Sequence, residues 1–262
     1  MYFDFLNILS LITIFAGVIC LVDIIMRARQ RKKYGASSGE VKHPIIIEYA
    51  RSFFPVLLIV LLIRAFLFQP YRVPTGSLEP TIIPGDMILV NQYDYGLRIP
   101  LWNKEFIHVG NPKTGQIGLF RWPVNPAVTF VKRVIGVPGD HISYINKVLY
   151  INGKEQSQKF MGDSVEIGPG NETWKVKKYE EDLNGIKHFI IIRPDRPGRS
   201  FKNLVVPKGE YFMMGDNRDD SDDSRSWGFV PAKNFIGRAL FIWLSWDSQH
   251  HTIRWNRIGK GL

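Results

Sequence analysis

The chain has 262 residues, 45% of them hydrophobic, which suits one large domain or two modest ones and excludes a disordered composition. Its single cysteine, Cys20, excludes an intramolecular disulfide and a multi-cysteine zinc site. The net charge of +10 raises nucleic acid as a partner, but residues 1–70 carry 8 Lys and Arg against 4 Asp and Glu, while residues 71–262 carry 26 against 20 with signs alternating along the chain.

The first element is FLNILSLITIFAGVICLVDIIM, residues 5–26, an almost unbroken apolar run. At about 1.5 Å per residue it spans a hydrocarbon core of roughly 30 Å, so residues 1–26 are read as a first transmembrane helix. Asp23, near its end, is expected at the interface. A cleaved signal has basic residues before the apolar run and small ones after it, whereas Asp4 precedes this run and RARQ follows it. Residues 27–51 form a basic loop with seven Lys and Arg against two acids, five of the seven in RARQRKK at 27–33. The positive-inside rule puts such a loop in the cytoplasm. SFFPVLLIVLLIRAFLF at 52–68 is the second apolar run, and 52–69 is read as a second transmembrane helix, with a buried core helix as the alternative. Arg64 within it either snorkels to the far surface or touches the following domain. Everything after residue 70 then lies outside.

From residue 70 to 262 the pattern changes to short β-branched and aromatic runs bounded by Gly, Pro, Asn and Asp: DMILVNQYDYG, AVTFVKRVIGV, HISYI, KVLYING, KHFIIIRP, EYFMMGDN and GRALFIWLSW. The expectation is a mostly β extracytoplasmic domain. Residues about 141–210 are richer in Lys, Glu, Gly and Asn and separate two motif-bearing blocks, which suggests an inserted smaller β subdomain.

Three blocks carry candidate chemistry. In PTGSLEPT, residues 74–81, Gly76 permits close backbone approach and two prolines restrict the chain around Ser77, fixing a hydroxyl or simply making a turn. In FVKRVIGVPGD, residues 130–140, strand alternation can turn Lys132 inward, and burial depresses an amine from about 10.4 by several units. A neutral lysine deprotonates a serine without any histidine; a solvated strand-edge lysine does nothing of the kind. GDNRDDSDDSRSWGFVP, residues 215–231, is dense in Asp and Ser, but a calcium loop started at Asp219 has Ser224 where glycine is needed. A polar network orienting the lysine is the other reading, with Ser221 as its hydroxyl and Asp223 with Arg225 as a supporting ion pair. His43, His108, His141, His188 and the pair His250 and His251 have no metal-ligand spacing, so no metal or cofactor is expected. The sequon at 171–173 indicates a surface loop.

Taken in order, two membrane segments, PTGSLEPT, GDMILVNQYDYG, FVKRVIGVPGD and GDNRDDSDDSRSWGFVP resemble bacterial type I signal peptidase, the membrane-bound leader peptidase, over essentially the whole chain. The resemblance implies signal-peptidase-like antiparallel sheets and a Ser/Lys-dyad endopeptidase that removes signal peptides from exported preproteins at the outer face of the cytoplasmic (inner) membrane. It makes Ser77 the nucleophile, Lys132 the general base, Ser221 the hydroxyl bonded to that lysine, and Asp223 and Arg225 the pair below. The oxyanion donors become the Ser77 N–H and the Thr75 hydroxyl. Where the family often has Ser-Gly-Ser-Met, this chain has Thr75-Gly76-Ser77-Leu78, which keeps the hydroxyl and the apolar bulk.

Substrate in this family pairs as an extended strand beside the site and inserts small side chains into shallow pockets, for which Tyr71, Val73 and Val131 are the candidates, core packing being the alternative. Phe241, Trp243, Trp246 and Trp255 are candidates for resting on membrane lipid, again with core packing as the alternative. The expected partners are signal-bearing preproteins and lipid, without nucleic acid. The oligomeric state is open. Two competing readings remain: a Ser/Lys self-cleaving repressor-type protease, which has no reason for two membrane spans, and a non-catalytic membrane-tethered β-domain that scaffolds export or envelope assembly.

Overall fold

The computed structural model describes residues 5–34, 44–99, 104–167 and 172–262. Residues 35–43 of the basic loop, including His43, and Asn171 of the sequon lie outside the described residues. The chain divides into two compact units, one of residues up to 68 with Leu97–Ile107, the other of Gln69–Gly96 with His108–Leu262.

The first unit holds α1 (Phe5–Tyr34) and α2 (Ile45–Leu62), the latter closed by a π-turn over Ile63–Leu67. Both are apolar and long enough to cross a membrane, over Phe5–Gln30 and Ile45–Leu67. The helices outrun the apolar segments: α1 continues through RARQRKK because Arg, Lys and Gln are good helix formers, and α2 begins directly after Pro44, a residue compatible with a helix start. Gly17 lets the helices approach closely, since a Cβ there would sit 2.8 Å from the Phe54 ring. Asp23, near the end of the first apolar run, lies between α1 and α2. It is 5% exposed, accepts from Arg27 Nε at 3.2 Å and pairs with Arg51 at 2.5 Å, so its charge is neutralised between the helices. Arg64 lies over the Phe5 ring, 4.6 Å from its centroid.

The second unit is antiparallel β. Its main sheet runs β1 (Phe68–Arg72), β2 (Asp86–Asn91), β16 (Phe235–Asp247), β5 (Ile117–Arg121), β6 (Thr129–Gly136), β14 (Glu210–Met214) and β15 (Val230–Pro231), with β17 (Thr252–Ile253) on β16. β3 (Gly96–Ile99) and β4 (Lys104–His108), most of which belong to the first unit, form a separate two-stranded sheet. Between β6 and β14 the chain builds two smaller sheets. One is β13 (Phe201–Val205), β7 (His141–Ile145), β8 (Val148–Ile151) and β9 (Lys154–Glu155); the other is β10 (Gln158–Ile167), β11 (Thr173–Leu183) and β12 (Ile186–Ile192).

β6 is central: Lys132 pairs with Gly118 of β5, Arg133 with Met214 of β14, and every residue from Val131 to Gly136 is buried. A strand buried on both faces reads as a continuous apolar run, so its two cations must find partners. One core cluster joins Val73, Leu78 and Ile82 to Ile88, Ile117, Val131 and Ile242, which clamps the segment around Ser77 to the main sheet.

Beneath this core lies a fully buried ion pair. Arg218 makes a two-pronged contact with Glu181, and His188, the cross-strand partner of Glu181, adds its ring at 3.4 Å. A buried pair with one member removed leaves an uncompensated charge. Arg218→Met should therefore lower stability by about 3–5 kcal/mol, and Arg218→Met with Glu181→Leu should recover much of that. Denaturant unfolding of the full chain in detergent checks both; a single variant as stable as the parent contradicts the account.

Candidate active site

Ser77 sits in a turn whose shape is fixed by backbone bonds. The Glu79 N–H donates to Gly76 O at 3.0 Å, Ile82 N–H to Leu78 O at 3.0 Å, and the Asn217 N–H to Ser77 O at 3.1 Å. Leu78, 1% exposed, is the hydrophobic peg that holds the turn in the core while leaving Ser77 partly accessible. Glycine at 76 leaves room for the Glu79 carboxyl, since a Cβ there would lie 2.8 Å from Glu79 Oε1 and displace that side chain.

Lys132 reaches this turn from β6. It is 4% exposed, and its Nζ donates to Ser77 Oγ, so serine and lysine 55 residues apart in sequence are in direct contact. Nζ also lies 5.6 Å from the Phe130 ring centroid. Burial pushes the Lys132 amine down from 10.5 to about 8, against the opposing pull of Asp223 and Asp222. A proton relay at near-neutral pH needs a base of this kind.

The 215–225 loop supplies the floor. Arg225 donates to Asp223 from Nε at 2.8 Å and from Nη2 at 2.7 Å, and Asp223 Oδ2 also accepts from the Gly215 N–H at 3.0 Å. Burial by itself would raise the Asp223 carboxyl, but the Arg225 charge and these bonds hold it below its usual range. Gly215 packs against the nucleophile, since a Cβ there would fall 2.3 Å from both Ser77 O and Ser221 Oγ.

Ser221 is thus beside the site, but the expected bond to Lys132 is absent. Nζ is engaged by Ser77, and Ser221 Oγ is buried without a hydrogen-bond partner among the described residues. Thr75 is exposed and lines the same cleft as Ser77. Tyr71, Val73 and Val131 line it too, while belonging to or packing on the core, so pocket and core are the same surface seen from two sides. The Tyr71 hydroxyl donates to Thr129 O at 3.1 Å, tying the end of β1 to β6 across the cleft. Phe241 and Trp246 are half-buried, whereas Trp243 and Trp255 are 40% and 73% exposed.

Sequence reasoning missed several residues here. Arg133 forms a buried two-pronged pair with Asp216, whose Oδ2 also accepts from Thr81 Oγ1 at 2.6 Å, bracing the end of the Ser77 turn. Alternation along β6 sends Arg133 to the face opposite Lys132, and a cation in a buried strand is itself a signal that a carboxylate must be found. Glu79, Glu166, Trp174, Asn217, Asp220 and Asp222 also line this cleft, which has a volume of about 650 Å³.

The chain as a whole is similar to known proteins. The family model described as Signal peptidase, peptidase S26, matches residues 46–246. Signal peptidase I of Pseudomonas fluorescens is 38% identical over 273 residues, covering 93% of each chain, and that of Pseudomonas aeruginosa is 39% identical over 261 residues, covering 88% of each. Among solved structures, the crystal structure of a signal peptidase I from Enterococcus faecalis V583 is 29% identical with a TM-score of 0.33, covering 48% of this chain and 95% of that one.

Proposed function

Because the chain belongs to the signal peptidase family, peptidase S26, we propose that Ser77 is the nucleophile of its reaction and Lys132 the general base. The activity is that of a membrane serine endopeptidase that cleaves signal peptides from preproteins. The observation that carries the assignment is the contact between Lys132 Nζ and Ser77 Oγ inside the cleft.

Neutral Lys132 accepts the Ser77 hydroxyl proton as Oγ bonds to the scissile carbonyl carbon. The carbonyl electron pair moves onto oxygen, where the Ser77 N–H and the Thr75 hydroxyl stabilise it. Collapse breaks the C–N bond, and the Lys132 ammonium returns its proton to the departing amine, which is the mature N-terminus. The signal peptide is then an ester on Ser77 Oγ. Lys132 next takes a proton from water as the water oxygen attacks the ester, and that proton goes to Oγ as the signal peptide leaves as a carboxylic acid, which gives its own proton to solvent.

The Asp223 and Arg225 pair supports this centre by holding Gly215 in place under Ser77. Ser221, half-buried with its Oγ out of solvent and unbonded among the described residues, is placed to take a bond from Lys132 once Ser77 has given up its own. Tyr71, Val73 and Val131 receive small side chains of an extended substrate segment. We assign the catalytic domain to residues 70–262, on the extracytoplasmic side of the inner membrane, because the basic residues 27–51, from the RARQRKK end of α1 to Arg51 in α2, belong in the cytoplasm. Residues about 141–210 are its inserted subdomain. Phe241, Trp243, Trp246 and Trp255 rest on lipid, the two exposed tryptophans being the main anchors. A non-catalytic scaffold has no use for a buried lysine against a serine hydroxyl.

Ser77→Ala and Lys132→Ala should each abolish preprotein cleavage in detergent while the fold persists. In the parent, kcat/KM should fall as pH drops through about 8, since the base is lost when Lys132 regains its proton. Near-normal cleavage by either variant, or a flat profile through that range, contradicts the assignment. Thr75→Val removes one oxyanion donor while keeping the shape, and should cut kcat by about 10²–10³ with KM little changed, whereas Thr75→Ser should stay close to the parent. Equal kcat for Thr75→Val would exclude Thr75 from the oxyanion site.

A further inference from the structure

Beside Ser77, two carboxyl groups from distant parts of the chain meet. Glu79 follows the nucleophile by two residues, and its side chain lies against Gly76 and reaches the carboxyl of Glu166 on β10. Glu166 is 8% exposed; its Oε1 accepts from Asn217 Nδ2 at 2.8 Å, while its Oε2 is buried with no N–H or hydroxyl among the described residues to satisfy it. Two ionised carboxylates in contact and out of water repel, and an orphaned acceptor is costly. One proton held between them removes both penalties.

The charged groups around Glu79 agree with that. Burial raises its carboxyl most, followed by Glu166, with Asp220 of the 215–225 loop adding to the rise and Arg257 of the C-terminal turn opposing it, for a result of about 9. Glu79 is therefore neutral at neutral pH and ionises as pH rises through that value.

We propose that the carboxyl proton of Glu79 bridges to Glu166 Oε2 and that this link positions the oxyanion donor of Ser77. The inference rests on the Ser77 and Lys132 reading. Its mechanism is the planarity of one peptide. In a trans peptide the Gly76 carbonyl and the Ser77 N–H point in opposite directions, so whatever holds the Gly76 oxygen aims the Ser77 N–H. That oxygen has two donors: the Glu79 N–H at 3.0 Å and Asn217 Nδ2 at 3.3 Å. One donor is the backbone of Glu79 itself, and the other is the amide that Glu166 orients. The bridging proton ties these two supports together. Its loss sets two negative charges against each other, drawing Glu166 from Asn217 and Glu79 from the turn. Glu79 and Glu166 are thus positioning residues, acting on the reaction through the Gly76–Ser77 peptide.

The test is the pH dependence of kcat and KM for peptide cleavage by the full chain in detergent, for the parent, Glu79→Gln, Glu79→Leu and Ser77→Ala. The parent should gain activity as Lys132 loses its proton near about 8 and lose kcat again as Glu79 ionises near about 9. Glu79→Gln keeps a donor and cannot ionise, so its kcat should stay within about threefold of the parent optimum and hold its plateau on the alkaline side. Glu79→Leu has no donor and should lose about tenfold in kcat with KM within about twofold, a partial form of oxyanion-donor loss. With Ser77→Ala inert, an alkaline limb unchanged in Glu79→Gln, or a Glu79→Leu defect confined to KM, overturns the carboxyl link alone. Cleavage by Ser77→Ala overturns the dyad and this inference with it.

Discussion

A lysine ammonium in water keeps its proton to about pH 10.5, and the packing around position 132 works against it. β6 is buried from Val131 to Gly136, the Phe130 ring flanks the amine, and among the described residues Ser77 Oγ is the one group it touches by hydrogen bond. The fall to about 8 corresponds to about 3 kcal/mol of disfavoured charge. Because the folded value lies below the unfolded one, the native state is penalised at low pH and relieved as pH rises past about 8. Stability is thus sacrificed for a base that works without histidine.

The surrounding ion pairs make that sacrifice tolerable. Asp223 would pull a proton back onto Lys132 if it stood alone, but Arg225 takes both its oxygens and shares their charge. Arg133, next in the strand, points to the other face and is neutralised by Asp216. Asp216 in turn holds Thr81, so the same contact that satisfies a buried arginine also steadies the nucleophile turn. Charge compensation and catalytic geometry are here one network, built where the 215–225 loop crosses the main sheet.

Much of this was legible in the sequence because the signals are local or periodic. Apolar runs long enough to span a bilayer, β-branched strands between turn residues, and the three motif blocks with Ser77, Lys132, Asp223 and Arg225 all declare themselves without coordinates. What stayed hidden depends on contacts between residues distant in the chain. Glu79 reads as an ordinary exposed acid until Glu166, 87 residues later, arrives beside it. Nothing in the sequence around Asp23 announces its partner Arg51, which comes from the other helix. Ser221 lies in the neighbourhood its motif implies, beside Gly215, but its hydroxyl makes no hydrogen bond among the described residues while Nζ of Lys132 is turned to Ser77.

The claim that everything else leans on is the depressed proton affinity of Lys132, and it can be read without turnover. Lysine side-chain NMR of the full chain in detergent, with the Lys132 signal assigned by its loss in Lys132→Met, measures that value directly. The account predicts one lysine titrating near about 8. A Lys132 that titrates with the solvent lysines, near 10.5, would contradict it.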